Sequence, residues 1–138
     1  MLRYPALIEP DTTGFVVSFR DFPEALSAGA TLKEARLMAT DALLTAIDLY
    51  FEGKCLVPMP SSARNDEELV ALPASVCAKI LLVNVMLCQN VTRAELASRL
   101  DVRPKDVDRF ISLDHATKID SIARALAALG RRLEIGVS

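Results

Sequence analysis

The hydrophobic pattern of this chain changes its period near Pro73, and that change constrains the fold more than any other feature. Before Pro73, short runs rich in β-branched and aromatic residues alternate with turns that contain proline and glycine, which is typical of strands. After Pro73, apolar residues recur every three to four positions, which predicts helices. We therefore predict an α+β protein with two small domains, residues 1–72 and 73–138.

The first domain is predicted to pack a small sheet against one long helix, because the helix must cover the apolar face of the strands. The segment Thr31-Leu32-Lys33-Glu34 has the pattern of a capping box. In such a box the Thr31 hydroxyl accepts from the Glu34 amide, and the Glu34 carboxylate accepts from the Thr31 amide. The helix is expected to reach about Phe51. The predicted strands cover residues 2–8, 15–19, 25–30 and 68–72.

The second domain is predicted to be helical except at its end. Thr92 with Glu95, and Thr117 with Asp120, have the spacing of helix caps. Residues 132–137 alternate with a period of two, which predicts a short C-terminal strand. The predicted helices cover residues 74–89, 92–100, 104–113 and 117–129.

The window from Arg93 to Ser112 has the residue spacing of a helix-turn-helix. Ala97 supplies the small residue that two closely crossing helices need. Asp101 stands where the turn usually has glycine, so we expect a positive φ there, which aspartate tolerates better than most side chains. A helical bundle without a role in DNA binding is the alternative that core spacing alone leaves open. The apolar positions of the motif are Leu96, Leu100, Val102, Val107 and Phe110.

The second helix of such a motif enters the major groove, where side chains near its N-terminus meet base edges. Asp106, near the start of this helix, is expected to offset the helix dipole. Arg93 and Lys118 are predicted to contact phosphates, which position the protein without reading sequence. The residues predicted to meet base edges are Arg103, Lys105, Asp108 and Arg109.

Charge is divided unevenly between the two halves. Residues 1–72 carry six Lys and Arg against eleven Asp and Glu, whereas residues 73–138 carry ten against seven. An acidic half joined to a basic half suggests two surfaces for two different partners.

Several segments, taken in their order, resemble the HicB antitoxin family, and most closely its helix-turn-helix subgroup. The resemblance covers nearly the whole chain. It implies a partial ribonuclease-H-like N-terminal domain that binds and blocks a HicA-type mRNA-cleaving toxin. It also implies a C-terminal domain that forms a dimer, or a dimer of dimers, and represses its own operon. The matching segments are residues 14–25, Gly29, Thr31, Glu34, Ala35, 41–43, 50–52, 57–61 and 115–120.

Two further expectations concern these partners. A toxin that grips RNA needs a basic surface, so acidic side chains at strand ends are predicted to face it. The C-terminal strand is predicted to pair with the same strand of a second copy, because proteins generally avoid an unpaired strand edge. The acids predicted to contact the toxin are Glu9, Asp11, Asp21 and Glu24.

The sequence argues against an enzyme, a cofactor and a metal. Ribonuclease-H chemistry needs several carboxylates around two Mg²⁺ ions about 4 Å apart. The predicted first strand, residues 2–8, has no acid, and although Asp41 and Asp48 share a helix face, no strand acid is evident to complete a site. The three cysteines lack zinc-type spacing. The chain opens without a secretory signal and has no apolar run of bilayer length, so we expect a cytoplasmic protein that does not bind membranes. The alternative function is a ligand-responsive helix-turn-helix repressor without a toxin partner.

Overall fold

The computed structural model describes residues 2–138 and has the mixed α+β character predicted from the sequence. Two compact units are present: residues up to Tyr50 together with Pro58–Leu72, and Phe51–Val57 together with Pro73–Ser138. In chain order the elements are β1 (Arg3–Asp11), β2 (Gly14–Phe19), β3 (Leu26–Gly29), α1 (Leu32–Glu52), β4 (Glu67–Ala71), α2 (Ala74–Cys88), α3 (Arg93–Leu100), α4 (Pro104–Phe110) and α5 (Ile119–Ala128).

The four strands of the first unit form one antiparallel sheet with the order β3-β2-β1-β4. β1 and β2 form a hairpin in which Ala6 faces Phe19 and Asp11 faces Gly14. The Asp11 carboxylate accepts from the Thr13 amide at 2.8 Å, which holds the turn of the hairpin. Because β4 pairs with β1, the first and last strands of this unit lie side by side in the sheet.

One face of the sheet is buried, and α1 covers that face. Successive strand residues point to opposite faces, and the buried set on β1 and β2 includes Tyr4, Ala6, Val17 and Phe19. Gly29 permits a close approach of β3 to α1, because a Cβ at this position would lie 2.4 Å from the Ala35 amide nitrogen. The buried residues of α1 in this unit are Ala35, Ala39, Leu43, Ala46 and Ile47.

The predicted start of α1 is confirmed in part. The Thr31 hydroxyl accepts from the Glu34 amide at 3.1 Å, as the capping pattern requires. The Glu34 carboxylate instead accepts from the Ala30 amide at 3.3 Å, so the predicted return bond to the Thr31 amide is wrong by one residue. Thr31 still caps the helix, because α1 begins at Leu32 and the Ala35 amide donates to the Thr31 carbonyl at 2.9 Å.

The second unit packs four helices around a common apolar cluster. Three of them are followed within two residues by a residue with positive φ: Asn90 (54°), Asp101 (55°) and Gly130 (75°). After each such residue, the next amide bonds back to a carbonyl five residues earlier, as from Val102 to Ala97 at 3.0 Å. This is the Schellman arrangement, which satisfies carbonyls at the end of a helix. The cluster includes Leu82, Met86, Leu96, Ala97, Val107, Ile122, Ala125 and Leu126.

Residues 51–57 belong to the helical unit rather than to the sheet unit. The Val57 amide donates to the Asn84 side-chain oxygen at 2.9 Å, and the Asn84 side-chain nitrogen donates back to the Val57 carbonyl at 2.9 Å. This pair of bonds ties the segment to α2. The predicted domain boundary near residues 72 and 73 stays a prediction. Residues 51–57 precede it in sequence but belong to the helical unit.

Two helix bounds and one helix cap predicted for the second unit are corrected. α4 ends at Phe110 rather than residue 113, and α5 begins at Ile119 with Lys118 as its N-cap. Thr117 does not cap α5, because its hydroxyl donates to the Arg109 carbonyl at 3.1 Å. Residues 131–138 form no strand in the single chain. A strand needs a hydrogen-bonding neighbour, and the pairing of this segment with a second copy stays a prediction.

Within residues 2–138, no single helix is both long and apolar enough to cross a membrane. α2 and α3 meet the length and composition limits only when they are joined, and the chain bends by 107° between them.

Candidate partner-binding sites

The turn between α3 and α4 positions the basic side chains of the second unit. Thr92 caps α3 by accepting from the Glu95 amide at 3.1 Å, which confirms the predicted cap. Asp101 then adopts φ 55° and ψ 46°, the left-handed conformation expected from its place in the sequence. α4 begins immediately afterwards, with Arg103 as its N-cap and Pro104 in its first turn. The direction of α4 therefore depends on the conformation of one exposed aspartate.

Asp101 provides a stability test. Replacing it with glycine is expected to be neutral or to stabilise the protein by up to roughly 1 kcal/mol, because glycine adopts this conformation without strain. Asp101→Val is expected to destabilise, because a β-branched side chain fits positive φ badly. Chemical denaturation of the two variants beside the wild type measures both effects. Equal tolerance of glycine and valine would contradict the importance of this backbone conformation.

The first turn of α4 is held by Asp106. Its carboxylate accepts from the Arg103 backbone amide at 3.2 Å and forms a salt bridge with the Arg103 guanidinium at 3.4 Å. The Arg103 side chain, together with this backbone bond, lowers the pKa of Asp106. Asp106 thus stabilises the helix start, the kind of role predicted for it, and leaves most of the Arg103 side chain exposed to solvent.

Two of the predicted DNA contacts bind each other. The Arg93 guanidinium donates to the Asp108 carboxylate at 3.0 Å, and the two side chains are 52% and 51% exposed. The pair joins the start of α3 to the middle of α4. Asp108 can accept from a cytosine amine only if this exposed pair opens or shares the carboxylate.

The remaining predicted DNA contacts are exposed on or next to α4. Lys105 and Arg109 lie on the helix, and among residues 2–138 neither forms an ion pair. Lys118 caps α5 immediately after Thr117, whose hydroxyl bonds to the Arg109 carbonyl. The structure thus gathers Arg103, Lys105, Arg109 and Lys118 around one short helix and its two ends.

Lys79 is a functional candidate that the sequence reasoning missed. It lies in the apolar helix α2, is only 2% exposed, and donates to backbone carbonyls at the end of α4 and in the loop that follows. Burial lowers the pKa of its ammonium group. A signal for it exists in the sequence, because Lys79 is the sole charge within a 15-residue apolar helix.

The four acids predicted to face a toxin do not come together. Glu9 and Asp11 lie at the turn end of the β1–β2 hairpin, whereas Asp21 and Glu24 follow the other end of β2. The Asp21 carboxylate is also engaged, accepting from the Ser61 amide at 2.9 Å and the Ser61 hydroxyl at 2.5 Å. Glu9 and Glu24 are exposed, and their side chains form no ion pair with any other residue from 2 to 138.

An ion pair between the partly exposed Arg20 and the largely buried Glu67 side chain fastens the connection before β4 to the sheet. The Arg20 guanidinium donates to both Glu67 carboxylate oxygens, at 2.9 and 2.8 Å, and also to the Ser62 carbonyl at 2.6 Å. The Glu67 side chain is 5% exposed. The hydrogen bonds from Arg20, and a further one from the Arg64 amide, lower the pKa of Glu67 from an ordinary value of 4.5 to about 2.

This lowered pKa predicts a loss of stability in acid. The folded state favours the ionised carboxylate, so the stabilisation is present above about pH 4.5 and is lost as the pH falls toward 2. Glu67→Gln is expected to be less stable than the wild type at neutral pH, and to lose less stability across that acid range. Urea unfolding at a series of pH values measures this. Glu68→Gln is the comparison variant: the hydrogen bonds from Arg36 also lower the pKa of Glu68, but that pair is more exposed, so a smaller effect of the same sign is expected. Parallel pH dependence in wild type and Glu67→Gln would contradict the assignment.

Comparisons with known proteins agree on one family. The family model described as HicB-like antitoxin of bacterial toxin–antitoxin systems matches residues 3–81. A protein named Antitoxin HicB 2 from Photorhabdus laumondii is 51% identical over 134 residues, covering 97% of this chain and 95% of its own length. Antitoxin HicB from Escherichia coli is 43% identical over 97% of this chain and 98% of its own length. Antitoxin HicB from Pseudomonas fluorescens is 36% identical over 99% of this chain and 94% of its own length.

These matches place the chain among the antitoxins of bacterial toxin–antitoxin systems. It belongs to the HicB-like antitoxin family, and the resemblance found in the sequence is confirmed. The family model covers the sheet unit and the start of α2, whereas the relatives also match through the helical region that follows.

Proposed function

We propose that this antitoxin acts through two separate surfaces. The sheet unit, as a partial ribonuclease-H-like domain, binds and blocks a HicA-type toxin that cleaves mRNA. The helical unit, as a helix-turn-helix domain, binds operator DNA as a dimer or dimer of dimers and represses its own operon. The observation that carries the DNA-binding half is the left-handed turn at Asp101, which leads into a short helix with exposed basic residues at both ends.

The toxin surface is proposed to lie on the sheet face opposite α1. Because Ala6 and Phe19 face the helix, Glu9 and its cross-strand partner Val16 point to the other face. Val16 is exposed there, as is Leu26 on the edge strand β3. An apolar centre beside acidic side chains suits a basic partner with an apolar patch of its own, since complementary charge speeds encounter.

Two charge reversals test this assignment, because the acids lie at opposite ends of the hairpin. Glu9→Lys is expected to slow association with the toxin at low salt, and Glu24→Lys, an equal charge change at the other end, tests whether the surface extends that far. The measurements are rescue of growth on co-expression and association rates across a salt series. A larger effect of Glu24→Lys would place the toxin surface at that end of the sheet. If neither variant changed association, neither acid would belong to the toxin surface.

The alternative, a ligand-responsive repressor, has one supporting feature. The helical unit contains an open groove of about 460 Å³, lined largely by apolar side chains that include Val83, Met86 and Ile111. Co-expression with the product of the adjacent reading frame separates the two functions. Rescue from a short basic toxin supports the antitoxin, whereas operator binding without rescue would favour the repressor.

We also propose that the chain has no nuclease activity of its own. Among residues 2–138, no cluster of three or more His, Cys, Asp or Glu side chains could hold a metal ion. The purified protein is expected to leave RNA and RNA–DNA hybrids intact in Mg²⁺ or Mn²⁺, as followed by gel electrophoresis. Metal-dependent cleavage that Asp41→Asn or Asp48→Asn abolished would contradict this proposal.

A further inference from the structure

The buried ammonium group of Lys79 joins three parts of the helical unit. Lys79 lies in α2 and donates to the Arg109 carbonyl at 3.3 Å, the Ser112 carbonyl at 2.5 Å and the His115 carbonyl. An ammonium has three donors and no acceptor, so each of its hydrogens has a carbonyl partner. The last carbonyls of a helix have no partner within it, and α4 ends at Phe110. Lys79 therefore adds a hydrogen bond from α2 to the end of α4, at the Arg109 carbonyl, and two more to the loop that follows.

This arrangement is unusual for a residue that serves only to fill the core. A buried charge is costly to desolvate, and none of the three partners of the Lys79 ammonium is a carboxylate. A second bond reinforces the same place, because the Thr117 hydroxyl donates to the Arg109 carbonyl at 3.1 Å. Lys79 thus holds the end of α4 and the loop after it to α2, and Thr117 holds the end of that loop to α4.

We propose that Lys79 is a positioning residue for operator binding: it fixes the end of α4 and residues 112–115 against α2, so that Arg109 and Lys118 are presented together to DNA. The proposal rests on the proposed operator binding by α4. Lys79 itself is buried and touches no DNA. It acts through the backbone of Arg109 and of the loop that leads to Lys118.

The first test is Lys79→Met, which keeps most of the aliphatic stem and removes the donors. Operator affinity is expected to fall roughly tenfold, the usual scale for a residue that acts through others. Toxin neutralisation is expected to stay unchanged. Amide hydrogen exchange should become faster in residues 110–118 while the amides of α2 and α5 keep their protection. A Lys79→Met protein that binds the operator as the wild type does would overturn the proposal.

The second test is chemical rescue of Lys79→Ala. The atoms removed from this side chain correspond to propylammonium, so adding that cation is expected to restore operator affinity and amide protection. Tetramethylammonium, which has no N–H donor, should restore neither at equal ionic strength. Leu82→Ala, another fully buried position in α2, is the matched control for general loss of packing, and propylammonium should not rescue it.

The outcomes distinguish a failure of the Lys79 proposal from a failure of the proposed operator binding. If the wild-type protein binds no operator, the proposed function fails, and amide exchange with propylammonium rescue still tests the hydrogen-bonded role of Lys79. If the wild type binds but both Lys79 variants unfold throughout the chain, Lys79 is a general core residue and the positioning role is wrong. Rescue by propylammonium alone, seen in both operator affinity and exchange of residues 110–118, is the result expected.

Discussion

Replacing Arg109 with alanine is expected to weaken operator binding by about 1–3 kcal/mol, which is roughly 5- to 150-fold. The guanidinium is exposed on α4 and, within residues 2–138, has no acidic partner. It is therefore available for a bidentate contact with guanine, and its removal should relax sequence preference at that base. Competition binding to operator variants, followed by fluorescence anisotropy, measures both the affinity and the preference.

Toxin neutralisation is expected to survive Arg109→Ala, because the toxin surface is proposed to lie in the other unit. Arg3→Ala, which removes the same charge from an exposed position on β1, is the matched control and should leave operator affinity unchanged. Lys118→Ala should instead weaken binding to all sequences. It should also reduce the slope of log affinity against log salt concentration, by about 0.9 for each phosphate that the protein no longer neutralises. Release of the toxin by Arg109→Ala would contradict the proposal of two independent surfaces.

The local parts of this fold were predictable because the interactions that determine them lie within a few residues of each other. The Thr92 cap, the left-handed conformation at Asp101 and the order of strands and helices follow from nearby side chains and from hydrophobic period. The early end of α4 was not predictable in this way. The Arg109 carbonyl and two carbonyls in the loop after α4 bind Lys79, which is 30 to 36 residues away in sequence.

The predicted site residues also divide into those placed by local spacing and those placed by contacts distant in sequence. Lys105 and Arg109 fall on one short helix that Arg103 precedes as its N-cap, and residues four apart in a helix share a face. The four acids were predicted from their positions at strand ends, and strand ends occur at both edges of a hairpin. Asp21 illustrates the difficulty, since its bonds to Ser61 span 40 residues and give it a structural role that no local pattern indicates.

The C-terminal segment is predicted to hold two copies of the chain together. In the single chain, Ile135 is 78% exposed and Val137 is fully exposed, although Leu133 packs against the helical cluster. These side chains alternate with polar and small residues, a pattern typical of a strand that has one apolar face. Pairing with the same segment of a second copy would satisfy the backbone and cover the apolar side chains. It would also set two recognition helices about one DNA turn, ~34 Å, apart on a palindromic operator.

Deleting residues 134–138 is therefore expected to give a monomer that binds operator DNA roughly 10²- to 10⁴-fold more weakly, because a second linked contact no longer adds to the first. The deletion spares Leu133 and the amide of Arg131, which bonds to the Leu126 carbonyl at the end of α5. Ile135→Pro tests the same interface by removing one backbone donor, and Ile135→Val, which keeps a β-branched side chain, is its matched control. Sedimentation and operator binding should change together in the shortened protein and in Ile135→Pro. Both should remain as in the wild type in Ile135→Val. A shortened protein that still sediments as a dimer, or still binds a full operator tightly, would place the dimer interface elsewhere in the chain.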